Sequence, residues 1–277
     1  MNSYVFKQFI KLKALFIRGK KLRNRYKRIY SARFFAQKVR QVRWGVSYSV
    51  FDGVELLESA LANIRPHADY ISVVYQDVSW YGEPAPEPVL PLLEKLKAQG
   101  LIDTIIFFEP DFRRSAGQNE RRKRSLGLRD AKRHHVEYYM SMDVDEFYFA
   151  DEIENAKYRI VRKGITRACV GQDTYGEEPT QKCLYSINSF VPFFSRINFF
   201  SRHAKDAHLP CLCDPNRQLN HQLFDKYYVL NTCSMQHMSK VRVDLARKLR
   251  NSSGKMFPVP ERYFLSAKTE NWFDISI

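Results

Sequence analysis

Asp143 and Asp145 stand two residues apart, directly after the apolar run Tyr138–Met142. Glu146 follows, and then the aromatics Phe147, Tyr148 and Phe149. Carboxylates placed where a buried strand ends can hold a hard divalent cation. Such a cation neutralises adjacent phosphate oxygens and helps a phosphate leaving group depart. Mg²⁺ and Mn²⁺ favour oxygen ligands and keep several waters, so one direct carboxylate suffices. Asp145 is the expected ligand, and Asp143 could hold a ribose or a bound water. The plain alternative is a solvated acidic loop or a helix cap.

His237 is a second candidate ligand. It follows the strand-like Lys226–Leu230, and an imidazole can complete a mixed oxygen and nitrogen shell. Read by itself it is more often a histidine packed in the core or lying on the surface. His203, His208 and His221 have weaker context. Lys123, Arg124 and Arg129 lie in a basic helical segment over 113–135 and could meet a phosphate, the alternative being a solvated helix face. Asn119–Glu120 could cap that helix.

The elements that must carry these residues alternate. Val42–Val50, Tyr70–Tyr75, Ile102–Phe108 and Tyr138–Met142 read as strands. Val54–Asn63, Val89–Gln99 and 113–135 read as helices. Buried strands separated by helices predict an α/β chain with a mostly parallel sheet covered on both faces. Ligands of such sheets collect beyond the carboxyl ends of the strands, where the first loop, 51–53, and the acidic cluster would both lie. Residues 165–200 read as short added strands and Val241–Asn251 as a helix.

Charge divides the chain. The net charge is +15, yet residues 1–43 hold fourteen Lys or Arg and no acid. The remainder has 31 bases against 30 acids. The expected organisation is a basic amphipathic arm, 1–43, and one catalytic domain, 44–277, with acceptor-side elements in 165–235 and a C-terminal helical region. In the arm, Val5, Phe9, Leu12 and Phe16 keep helical spacing, broadened by Phe6, Ile10 and Ile17. Lys20, Lys21, Arg23, Arg25, Lys27 and Arg28 follow. The arm is expected to lie on an anionic membrane surface. A contact with protein and a contact with nucleic acid are the alternatives, the latter without a specific recognition module. No run reaches the length of a membrane span.

Five cysteines, odd in number and loosely spaced, do not resemble a disulfide framework and point to a reducing compartment. Cys211–Leu212–Cys213 is too short for the usual half of a zinc knuckle.

Taken together, several segments resemble the glycosyltransferase family 2-like group with the GT-A fold, in particular bacterial members that build surface polysaccharide or lipopolysaccharide. They are Tyr48-Ser49-Val50-Phe51-Asp52-Gly53, Asp69–Val74, Asn119-Glu120 with Lys123-Arg124 and Gly127, Tyr138–Phe147, and Gln236-His237-Met238-Ser239. The resemblance covers approximately residues 44–250. It implies a GT-A fold with a mixed, mostly parallel sheet flanked by helices. It also implies a nucleotide-diphospho-sugar donor, a glycan or glycolipid acceptor, and Mn²⁺ or Mg²⁺ held by Asp145 and His237 with Asp143. Tyr48 and Asp52 would lie at the nucleotide edge, with Lys123 or Arg129 at the leaving group. Two departures stand out. Phe51–Asp52–Gly53 replaces the asparagine–glutamate pair of many relatives, and Gln76–Asp77 follows the second strand in place of an acidic pair, leaving Asp77 as a candidate donor contact. Inversion needs an acceptor base. Asp214, in the constrained loop Pro210–Pro215, is the first choice, with Asp206 and Glu177 as alternatives. The expected place is the cytoplasm, at the inner face of the cytoplasmic membrane. A nucleotidyl or phosphoryl transferase, or a non-catalytic membrane-associated glycan-binding protein, could use the same residues.

Overall fold

Continuous apolar runs make strands that must be covered on both sides, and the centre of the sheet is built from such runs. The computed structural model describes residues 3–85, 87–183, 189–204, 211, 213–252 and 264–266. After helices α1 (Ser3–Leu15) and α2 (Lys20–Gln41) come β1 (Trp44–Val50), α3 (Val54–Ile64), β2 (Tyr70–Tyr75), α4 (Val89–Ala98) and β3 (Thr104–Phe107). Then follow α5 (Ala116–Arg133), β4 (Tyr138–Asp143), β5 (Glu146–Phe147), α6 (Ala150–Lys163), β6 (Arg167–Thr174), β7 (Gln181–Cys183) and β8 (Phe190–Arg196). The described chain closes with β9 (Tyr227–His237), α7 (Leu245–Asn251) and β10 (Phe264–Ser266).

Eight strands form one mixed sheet in the order β3-β2-β1-β4-β8-β6-β9-β5, and β7 pairs with β10 apart from it. The four strands from β3 to β4 are parallel. β8 is antiparallel to both β4 and β6, β6 and β9 run parallel, and β5 is antiparallel to β9. The chain therefore leaves β1 on one side, toward β2, and returns on the other as β4. That reversal opens a crevice at the carboxyl ends of β1 and β4, the place where open α/β sheets bind ligands. Helix α5 packs against β1, β2 and β4. It approaches closely because Gly127 has no side chain, and a Cβ there would lie 1.9 Å from Ser47 Oγ.

Strands β1 to β4 and helices α3 to α5 form where the hydrophobic periodicity places them. Helix α6 has no counterpart among the sequence expectations, although Ile153, Ala156 and Ile160 keep helical spacing and are fully buried. β9 runs on to His237 rather than stopping near Leu230. The cap of α5 is Ser115, in a reciprocal capping box with Gln118. Asn119 does not cap: its side-chain amide bridges the backbone of Asp111, accepting from the N–H and donating to the carbonyl.

The basic N-terminal region folds as a helical hairpin. Phe6 stacks on Phe34, while Phe35 and Val39 of α2 are buried in the body, where Phe35 meets Tyr158 of α6 edge-on. Val5, Phe9, Leu12 and Phe16 stay exposed, Phe16 at 86%. No helix among the described residues is long and apolar enough to cross a membrane.

Candidate active site

Strand β4 ends at Asp143, Val144–Asp145 make a turn, and Glu146 begins β5. Pairing of β5 with β9 sets Glu146 opposite His237, and the Met238 N–H donates to the Asp145 carbonyl at 2.8 Å. This backbone register brings His237 Nε2 within 3.9 Å of Asp145 Oδ1. Ligand atoms of Asp145, Glu146 and His237 all lie within 4.8 Å of one another.

The two oxygens of Asp145 differ. Oδ2 accepts from Arg242 at 2.5 Å and Lys248 at 3.3 Å. Oδ1 is buried and accepts no hydrogen bond. An undonated buried carboxylate oxygen is costly, and a divalent cation lying between it and an imidazole nitrogen would satisfy both. The donor set, two carboxylates and one imidazole, suits Mn²⁺ or Mg²⁺. Gln172 meets His237 Nδ1 at 2.8 Å. That contact is made by the amide nitrogen Nε2; ligation through His237 Nε2 needs the proton on Nδ1, which the same amide would accept once rotated to present its oxygen. Burial lowers the His237 pKa against the opposing pull of Asp145, which keeps the ring neutral and able to ligate.

Asp143 is held differently. It accepts from Arg124 at 2.9 and 3.0 Å and from Arg217 at 2.6 Å. Arg217 also meets Glu146 at 2.5 Å and Asp214 at 2.9 Å. Burial pushes the Asp143 carboxyl up, but Arg124 and Arg217 outweigh it and hold its pKa at about 2. Burial likewise opposes ionisation of Asp145, and Lys248 and Arg242 override it. Glu146 is the opposite case: burial raises it to about 7 and Arg217 offsets only part of that rise. Two neighbouring acids are thus fully charged and the third is poised near neutrality.

A cavity of about 510 Å³ opens beside this cluster. Of the residues expected from the sequence, Asp52, Lys123, Asp143, Asp145, Asp214 and His237 border it. Others do not. Tyr48 is fully buried and its hydroxyl donates to the Ala60 carbonyl at 2.9 Å. Side chains alternate across a strand, so Ser49 faces the cavity while Tyr48 faces α3. Arg129 is exposed and lines a second cavity with Phe108, Arg122 and Phe199. Five residues beyond Arg124 on a helix is well over a quarter-turn away from it. Asp77 is exposed after β2, and Glu177 is exposed between β6 and β7; neither borders the cavity. Asp206 lies outside the described residues.

Arg217, Arg242 and Lys248 complete the site and were not singled out from the sequence. For Arg242 and Lys248 the available signal was basic residues placed soon after His237, which is weak because such residues usually lie in solvent; Arg217 precedes His237 and had no such signal. Gly53 supplies a further clue. It adopts φ +71°, and a Cβ on it would lie 1.2 Å from Arg242 Nη1. Only glycine lets Arg242 cross this turn to reach Asp145.

Fold and site together define an α/β protein with a metal-competent acid–histidine cluster at the switch point of its sheet. No family model matches the chain, and no curated protein does. Among solved structures it shows distant similarity to S. aureus TarS, at 14% identity and a TM-score of 0.36, over 48% of this chain and 22% of that one. TarS 1–349 in complex with UDP-GlcNAc is similar at 16% identity and a TM-score of 0.36, over 48% and 35% of the two chains. The complex with UDP stands at 12% and 0.36, over 48% and 36%. The chain thus spans at most 36% of these structures' length.

Proposed function

We propose that this chain is a GT-A glycosyltransferase that moves a sugar from a nucleotide-diphosphate donor to a hydroxyl of a glycan or glycolipid, with inversion, in lipopolysaccharide or surface-polysaccharide synthesis. The observation that carries the reading is the undonated Asp145 Oδ1 facing His237 Nε2, at a strand-end crevice lined by Lys123, Arg242 and Lys248. A cation held by Asp145, His237 and Glu146 would supply Lewis-acid stabilisation of the leaving diphosphate. Asp143, fixed by two arginines, orients the donor. Arg242, Lys248 and Lys123 offer positive charge to phosphate oxygens. Of the three carboxylates expected as acceptor base, Asp214 borders the cavity. Incubation with a panel of nucleotide sugars and glycan acceptors should release free nucleoside diphosphate. Release of pyrophosphate would assign nucleotidyl transfer instead, and donor binding without turnover on any acceptor would leave a binding protein.

Lys123 gives the donor site a pH dependence. Its ammonium donates to the Val50 carbonyl at 2.7 Å, and burial lowers its pKa to about 7 although Asp143 pulls it up. Below that pH the amine is charged; above it the charge fades. The diphosphate of a nucleotide sugar keeps its charge through this range, so its affinity should fall about tenfold between roughly pH 6 and pH 8.5. Lys123→Arg should flatten that profile. Calorimetric titration checks both, and equal pH profiles for the two proteins would remove Lys123 from the phosphate site.

The helical hairpin is assigned to the inner face of the cytoplasmic membrane, where the acceptor would be met. Its exposed Val5, Phe9, Leu12 and Phe16 precede the basic start of α2 in the chain, a combination suited to anionic headgroups. Co-sedimentation with phosphatidylglycerol-rich vesicles should exceed that with phosphatidylcholine vesicles and fall with salt. The triple change Phe9→Ser, Leu12→Ser and Phe16→Ser should weaken it at least tenfold, since each buried side chain contributes about 1.5–3 kcal/mol. Unchanged sedimentation would exclude the hairpin as the anchor.

A further inference from the structure

The loop that delivers Arg217 and Asp214 to the cavity begins at a cluster of three thiols. Cys213 Sγ lies 3.5 Å from Cys169 Sγ and 3.6 Å from Cys211 Sγ, and all three sulfurs fall within 4.8 Å of one another. Cys169 sits on β6 at the heart of the sheet. Cys213 bridges to Phe190 at the start of β8. Cys169 and Cys213 are buried and Cys211 is half-buried. None of the three touches the acid–histidine cluster, and the two-residue spacing of Cys211 and Cys213 gave no sign that a third sulfur would join them.

The separations suit thiols that share S–H hydrogen bonds or that jointly hold one ion, rather than a disulfide. A disulfide requires sulfurs at about 2.05 Å and leaves the third thiol over. Zinc–sulfur bonds of about 2.3 Å at the tetrahedral angle put sulfurs about 3.8 Å apart, near the 3.5 and 3.6 Å of the two Cys213 contacts. We propose that Cys169, Cys211 and Cys213 form a zinc site that fastens the Arg217 loop to β6. Three S–H protons pass to solvent as the thiolates bind one Zn²⁺. Zn²⁺ prefers four ligands, and water would supply the fourth. The ion is of borderline softness and thiolate-bound, so it is separate from the hard cation expected at Asp145.

The consequence for the active cavity follows from the loop's own bonds. Gln218 Nε2 donates to the Cys213 carbonyl at 3.0 Å, and Asn216 donates to Glu120 at 2.9 Å. Arg217 then reaches Asp143, Glu146 and Asp214. Zinc holding Cys213 would fix the anchored end of this network.

The test uses the full, untagged chain purified without chelator. Plasma mass spectrometry should find about one zinc per chain. His237→Ala should keep it, while Cys213→Ser and Cys169→Ser should each lose most of it. Because a buried serine can disturb folding, two measurements on the unaltered chain stand beside these variants. Replacement of zinc by Co²⁺ should give thiolate-to-metal charge-transfer absorption. Cys211 should resist iodoacetamide until a zinc chelator is added and then react at least tenfold faster. Absence of zinc together with alkylation of Cys211 at one rate before and after chelation would overturn the proposal. So would a disulfide among the three cysteines in the freshly purified chain, or zinc that follows His237 rather than the thiols. None of these outcomes depends on turnover, so the site can fail while the transferase reading stands, and the reverse.

Discussion

Asp145→Asn should abolish metal-dependent turnover, with a loss of roughly 10³-fold or more in kcat/KM, about 4 kcal/mol of transition-state stabilisation. The change keeps the volume and removes the charge that would hold the cation. It also has a structural effect that the sequence did not foretell. Asp145 is 1% exposed, and its Oδ2 is the partner of Arg242, whose side chain is 2% exposed. Leaving that guanidinium unpaired should cost about 3–5 kcal/mol of stability. Lost activity could therefore reflect lost fold, and the double variant Asp145→Asn with Arg242→Met separates the two. Removing both charges should recover part of the stability and none of the turnover. Thermal melts and initial rates at saturating Mn²⁺ check this, and a double variant that regains turnover would end the assignment of Asp145 as the metal ligand.

Arg217→Met should be the most destabilising single change in the cavity wall. One guanidinium meets Asp143 at 2.6 Å, Glu146 at 2.5 Å and Asp214 at 2.9 Å. Its loss leaves the buried Glu146 carboxyl without its ion-pair partner, beside a half-buried Asp143 that Arg124 still holds. About 3–5 kcal/mol is expected, which for a chain of this size lowers Tm by roughly 6–15 °C. Arg217→Lys should recover only a fraction, because an ammonium cannot fork to three carboxylates.

The pH dependence of that loss has a defined sign. Asp143 has its pKa lowered from 3.8 to about 2, so its contribution is present above the unfolded value and disappears as pH falls through about 2. Glu146 is raised from 4.5 to about 7. Its contribution is present below about 4.5 and is lost as pH rises through about 7, where the ionised form depends on Arg217. The gap between Arg217→Met and the unaltered chain should therefore be wider at about pH 8 than at about pH 5, and should narrow again toward about pH 2. Denaturant titrations at three pH values measure it. A gap that stays constant would show that Arg217 acts by packing alone.

Local pattern carried a good part of this protein. The run YISVVY was legible as a strand because an apolar segment of that length, bounded by polar residues, has few other solutions. Tyr138–Met142 was legible for the same reason, and with it the position of Asp143 and Asp145 at a strand end. Helix α6 was legible in principle, since Ile153, Ala156 and Ile160 mark one face, but its many charges hide the stripe. The division between a basic arm and a neutral remainder needed only a count of charges, although the arm's second helix turned out to pack on the body through Phe35 and Val39.

What lies beside the acids was decided by tertiary structure. His237 reaches Asp145 because β9 pairs with β5, while Arg242 and Lys248 come from 97 and 103 residues further along the chain. Tyr48 was lost to the core by a one-residue alternation along β1, and Arg129 by its turn of α5. The three cysteines meet only because the loop before Arg217 lies against β6. Periodicity specifies which residues share a strand or a helix face, since those positions repeat within a few residues. Which strand becomes whose neighbour depends on the order of the finished sheet, and no local spacing encodes that order.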